Sequence, residues 1–283
     1  MSDIRGKIRK NERRKGKGKM VPTFTVSDIF VMMQTLNTKA LIGFSDPFLG
    51  FSKEQIEIEW EKTYKKLHAL ELVRFSNGEI DLEEGFANAL WIMSRTNLTV
   101  EILSDGEKKS LFYFSKSNVV ECSQQEDKKY TLYMHGAPSD TWNNVIYPRM
   151  LAGVDKQKVY SQEKVFVPTS YYSEWIKKGT VIDEQKLVQF NKNGDLKQMS
   201  KLLNHSIKNK IHNNRLLIFY KEHNDWAIEG LHVLTSTTSN WTFEMINENN
   251  VELLVGKQSS AIEIVAEILD VLRRVQNQHE QIL

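Results

Sequence analysis

Apolar residues in the first third of the chain recur every three or four positions, the spacing of one helix face, and the spacing then switches to strand-like blocks. Thr25-Val26-Ser27-Asp28 leads into Ile29, Val31, Met32 and Leu36, which predicts a short helix with Ser27 as its cap. From Ser52, Ile56, Trp60, Tyr64 and Leu67 mark one face of a long helix over 53–70. Phe86, Leu90 and Met93 mark a further helix over 82–94, reached from the long one through a tight turn at Ser76-Asn77-Gly78. Between the first two helices, 44–51 reads as an aromatic loop broken by Pro47 and Gly50.

Residues 98–103, 110–118, 119–124 and 130–136 are rich in β-branched and aromatic side chains, with Asp105-Gly106 where a hairpin turn belongs. The stretch 137–210 turns helical again and holds three of the five prolines. Strands return at 215–222, 226–239, 241–247 and 251–257. A last helix starts at Ser260 through a capping box with Glu263, its apolar face running Ile262, Val265, Ile268, Leu269, Leu272 and Val275. Helices then strands, twice, predicts one α+β domain over 23–283. Its two pseudo-equivalent halves, 23–140 and 141–283, share a central antiparallel sheet flanked by helices.

Charge changes the picture only at the N-terminus. Residues 1–19 hold nine Lys or Arg against Asp3 and Glu12, so with an overall charge of +2 the rest of the chain carries −5. Two readings of 1–22 stand: a disordered basic tail, or a mis-assigned extension ahead of a true start at Met20, since Lys/Arg/Gly-rich residues are what a purine-rich ribosome-binding site encodes. The acidic body is unlike a DNA reader, which carries its positive field on the folded face that docks. No stretch approaches the roughly 18 apolar residues of a membrane span, and the basic start lacks the apolar run of a secretion signal. A single cysteine, Cys122, forms no disulfide within the chain. The cytoplasm is the expected location, with no membrane insertion.

Catalytic motifs are missing. Gly16 and Gly18 lie in the basic stretch, not between a strand and a helix, and the seven histidines lack metal-protease spacing. His135-Gly136 with Asp140 nearby could form a base and its orienter, but no nucleophile motif accompanies them, and a strand end entering a turn explains them as well. Cys122 reads as a small core residue rather than a reactive thiol. Glu54, Glu57, Glu59 and Glu61 read as the wet face of the long helix. Neither an enzyme nor a cofactor or metal is expected.

Aromatic residues offer more. Phe44, Phe48 and Phe51 crowd one loop; Phe166, Tyr171, Tyr172 and Trp175 crowd 165–179, which reads as a connection between the halves because Pro168 interrupts any long strand there. The core accounts for such rings as readily as an interface does. As interface anchors, Phe166, Tyr171, Tyr172 and Trp175 are the candidate partner-binding residues. Trp241, Phe243 and Met245 alternate as one face of a strand.

The phrase 64–86, "YKKLHALELVRFSNGEIDLEEGF", reads in two ways. Helix, short hairpin, helix is the order of winged-helix DNA-binding regulators, and such a regulator with an appended sensor domain is one functional reading. The second reading sets this phrase beside "TVSDIFVMMQTL", "LTVEIL" and "VELLVGKQSSAIEIVAEILDVLRRV". In that order they resemble the EspG family, chaperones of ESX (type VII) secretion, over about residues 23–275. The resemblance implies an EspG-like fold and a cytosolic chaperone or adaptor that keeps a secreted helical WXG- or LXG-type protein or heterodimer soluble and export-competent, with no specific nucleic acid bound. The Lys-, Asn- and Ile-rich composition departs from the Ala- and Arg-rich mycobacterial members and suits a low-GC Gram-positive bacterium.

Overall fold

The computed structural model describes residues 21–278 except 39, 77–78, 106–107, 155–158, 180–182, 192–195, 224 and 249. Helix α1 spans Val26–Thr35. Its N-cap is Thr25, not Ser27: the Thr25 hydroxyl accepts from the Asp28 amide while the Asp28 carboxylate accepts from the Thr25 amide. This reciprocal box satisfies two end donors, which a cap at Ser27, two residues later with Phe30 at N3, cannot do. Helix α2 (Lys53–Ala69) starts with a second such box, Ser52 with Gln55. Its predicted face, Ile56, Trp60, Tyr64 and Leu67, does turn inward.

Of the two orders read for this stretch, a tight turn or a short hairpin between helices, the hairpin is found: two short strands pair, β1 (Val73–Ser76) and β2 (Glu79–Leu82). Their register, Ser76 opposite Glu79, wraps around Asn77-Gly78, which lies outside the described residues. Leu82 therefore ends a strand, and helix α3 (Glu84–Arg95) starts after it, the Glu83 carboxylate accepting from the Phe86 amide.

The remaining strands are β3 (Leu98–Ser104), β4 (Lys108–Phe114), β5 (Val119–Gln124), β6 (Tyr130–His135), β7 (Lys164–Pro168), β8 (Lys210–Glu222), β9 (Asp225–Ser236), β10 (Trp241–Glu248) and β11 (Val251–Gln258). Among the described residues they form one nine-stranded sheet in the order β6-β5-β4-β3-β8-β9-β10-β11-β7, antiparallel throughout. Helices α4 (Pro138–Thr141) and α5 (Tyr147–Met150), joined by a π turn at 142–146, follow β6. Helices α6 (Thr169–Lys178), α7 (Glu184–Leu187) and α8 (Leu196–Lys208) follow β7, and α9 (Ala261–Gln278) follows β11.

The pseudo-symmetry lies in this order. Two four-strand meanders, β3 to β6 and β8 to β11, meet where β3 pairs with β8. At one outer edge Phe24 bridges Tyr130 of β6 just before α1; at the other, β7 pairs with β11 just before α6. Helices α1–α3 and α6–α8 pack on the same sheet face over the two ends, burying side chains such as Leu111 and Tyr113, and Trp241 and Phe243. Helices α5 and α9 cover the middle of the opposite face, over Val100, Phe112, Leu216 and Val233.

Residues 165–179 are thus no bare connection but an edge strand and a helix. Pro168 is tolerated because it closes β7 at the sheet edge, where no ladder partner needs its missing N–H. Helix α9 is rotated from its predicted face, of which Ile268, Leu272 and Val275 are buried as expected. Ile264, Ile268, Val271, Leu272 and Val275 face the sheet, while Ile262, Val265 and Leu269 are exposed. Both stripes have helical spacing, and only the sheet beneath chooses between them.

Candidate partner-binding cleft

Phe166, Tyr171, Tyr172 and Trp175 do not form one exposed surface. Tyr172 and Trp175 are buried with Leu203, Trp241 and Phe243, and the Tyr172 ring lies tilted against that of Phe243 with centroids 4.7 Å apart. A helix laid on a sheet puts positions i and i+3 against it, so these two rings are core. Phe166 and Tyr171 stay half-exposed, with Lys186 above the Tyr171 ring. In the other aromatic loop Phe48 is buried, Phe44 packs edge-on to Tyr130 at 4.9 Å, and Phe51 is exposed.

Between the two helical layers the middle of the sheet is left partly open. Cross-strand partners share a face, so Leu103, Arg215 and His232 lie side by side across β3, β8 and β9. Further along, Leu217 faces Gly230 and Phe219 faces Ile228. Gly230 is required there: a Cβ would come within 2.6 Å of the Leu217 side chain, which lies across it. Beyond this point apolar side chains meet solvent, Trp226 at 41% exposure and Ile228 at 54%. Strand β10 pairs with β9 only over 241–243, so the β10–β11 hairpin runs on without that neighbour, and Met245 is 51% exposed although Trp241 and Phe243 on its own face are buried. A row of large apolar side chains without cover is the informative kind of surface feature.

The other end of the opening is polar. It widens into a cleft of about 1160 Å³ bounded by α6 on one side and by the β3–β4 and β5–β6 connections on the other. Buried Glu101 accepts from Arg215 at 2.6 Å and pairs with Lys109 at 3.0 Å. The Tyr172 hydroxyl donates to Asn213 Oδ1 at 2.8 Å, fixing α6 to β8. His232 lies between Arg215 and the Tyr172 ring; burial, then the Arg215 charge, pushes its pKa down to about 4. Its folded pKa is below the ordinary 6.5, so the unfolded chain binds the extra proton first. Stability should therefore fall as pH drops from about 6.5 towards 4, by up to about 3 kcal/mol. His232→Gln should flatten the urea-midpoint profile between pH 6.5 and about 5.5, above the range in which most carboxylates titrate.

His135 has an orienter, though a different one from Asp140. Its Nε2 is 2.8 Å from Glu121 on the neighbouring strand, and Asp140 is exposed. Glu121 is buried, which alone would raise its pKa, but hydrogen bonds from Arg149 and Ser123 and the Arg149 charge hold it below the usual value. This is an ion pair tying α5 to the sheet, and the Ser110 and Ser123 hydroxyls also donate to Glu121. Cys122 is fully buried, and burial pushes its thiol pKa well up.

The hairpin between α2 and α3 has the winged-helix order, but α2 offers no free cation. Lys53 pairs with Glu57, Lys62 with Glu59, Lys65 with Glu61 and Lys66 with Asp28, which accounts for all four of its lysines. An acidic neighbour beside each lysine lowers the positive potential that a phosphate backbone would meet.

Among the described residues no helix is long and apolar enough to cross a membrane. No family model and no curated protein matches the sequence. Among solved structures, the chain is similar to the Mycobacterium tuberculosis type VII secretion system chaperone EspG5, solved in complex with a PE25–PPE41 dimer. The TM-score is 0.55 at 10% identity, over 89% of this chain and 95% of that one. The two chains share a fold: a large antiparallel sheet flanked by helices.

Proposed function

We propose that this protein is a chaperone or adaptor that holds a helical partner protein against the open middle of its sheet. The observation that carries the reading is the uncovered apolar row Trp226, Ile228 and Met245 beside half-buried Phe219. An amphipathic helix laid into such a trough covers apolar area on both partners. The fold it shares with a chaperone that binds the PE25–PPE41 dimer supports a client of the same sort. In this reading the client is a secreted helical protein or heterodimer of a type VII system, of the WXG or LXG type. It is kept soluble in the cytoplasm until export, and no catalysis or cofactor is involved.

Co-purification of the untagged partner from the native host, with identification of what binds, is the direct test. Trp226→Ser combined with Ile228→Ser should weaken client binding by about tenfold or more, as expected of interface anchors. The melting temperature should not fall, since both side chains are already exposed. Full client affinity in the folded double variant would remove the trough as the docking site.

A further inference from the structure

The polar end of the cleft carries a charge opposite to that of the body around it. Lys108 from the start of β4, Lys128 from the β5–β6 connection and Lys177 from α6 line it, together with Arg215 on the floor. None of these three lysines forms an ion pair among the described residues. Arg215 shares its one carboxylate, Glu101, with Lys109, and the Arg215 Nε is buried without a hydrogen-bond partner. Of the two acids lining the cleft, Asp105 is already engaged by the Asn213 amide and by His212, which leaves Glu126. The cleft is thus a cationic patch in a body that, outside residues 1–19, carries −5. These lysines ring an open space from both halves and, with no ion pair among the described residues, are free to meet a ligand's charge.

We propose that this end of the cleft binds an acidic, extended segment of the client polypeptide, a reading that rests on the chaperone function above. Three features select a peptide over a small anion. The lysines sit on three separate elements around the opening rather than converging on one point. The cleft, about 1160 Å³, is far larger than a single carboxylate or phosphate fills. Of the cations, Arg215 shares the sheet face of the apolar row and Lys128 and Lys177 stand beside it on the β5–β6 connection and α6, so a client docked there brings its neighbouring chain directly to them; Lys108, opposite Ser104, reaches the rim from the end of its strand. Complementary charge at this point sets partner choice and encounter rate more than raw affinity.

The probe is a fluorescently labelled Glu-rich peptide, with its Gln counterpart as control, titrated by anisotropy onto the full chain. The triple variant Lys108→Glu, Lys128→Glu, Lys177→Glu should bind the Glu-rich peptide about tenfold or more weakly with an unchanged melting temperature, because three exposed cations are reversed and no native pair is broken. Unchanged affinity would overturn the inference and assign the binding elsewhere, residues 1–19 included. Displacement by free glutamate as effective as by the peptide itself would overturn it in favour of a small-anion site. Lysine-dependent peptide binding that survives in the Trp226→Ser, Ile228→Ser protein supports the site independently of the chaperone reading. Client binding that ignores the triple reversal overturns this inference alone.

Discussion

Replacing Trp241 with alanine is expected to lower the unfolding free energy by about 3–5 kcal/mol, the cost of emptying a large aromatic site in a packed core. The indole is fully buried, stacks on Phe243 with ring centroids 6.1 Å apart, and donates from Nε1 to Ser206 at 2.9 Å. It is the common contact of β10 and α8, so its loss loosens the layer that also holds Tyr172 and Trp175. Ser206 and Ser239 hydrogen-bond to each other at 2.7 Å, so the truncation leaves those hydroxyls satisfied and the penalty is one of packing. Urea denaturation monitored by circular dichroism should show the midpoint fall with an unchanged slope. A cost below about 1 kcal/mol would mean that α8 collapses onto the sheet and refills the site.

Glu101→Ala is expected to cost about 3 kcal/mol, because it strands two cations around one vanished carboxylate. Glu101 is almost fully buried, while Arg215 and Lys109 reach it from β8 and β4 with partial access to solvent, which moderates the penalty. The same change should tighten binding of the Glu-rich peptide, since Arg215 is released towards the cleft. A double-mutant cycle with Arg215→Met separates the pair from the remainder. If Glu101→Ala and Arg215→Met simply add, the ion pair contributes nothing beyond its two members.

Periodicity alone located most of the elements. The face Ile56, Trp60, Tyr64, Leu67, the β-rich stretches 98–103 and 130–136, and the Ser260–Glu263 box, with its 2.6 Å bond from the Ser260 amide, all stand in the structure. These signals are local: a helix face or a cap is specified by residues within one or two turns of each other. The order of helices and strands gave the α+β class and the repeated half for the same reason. Two features within the cleft were also written in the chain: Glu101 amid apolar "LTVEIL", and Arg215 leading an apolar strand. A charge inside a buried strand needs a partner, but nothing in the spacing says that those two, more than a hundred residues apart, meet.

Tertiary structure decided what lies over each element. Tyr172 and Trp175 are core because α6 lands on β10 and β11, whereas Trp226 and Ile228, in a strand that reads the same as its neighbours, stay exposed because none of the described helices covers that stretch. The α9 stripe Ile264, Ile268, Val271, Leu272, Val275 won over Ile262, Val265, Leu269 because the sheet sits on one side only. Local sequence sets which side chains share a face; whether that face is buried or left open for a partner depends on long-range packing, to which every other element of the sheet contributes.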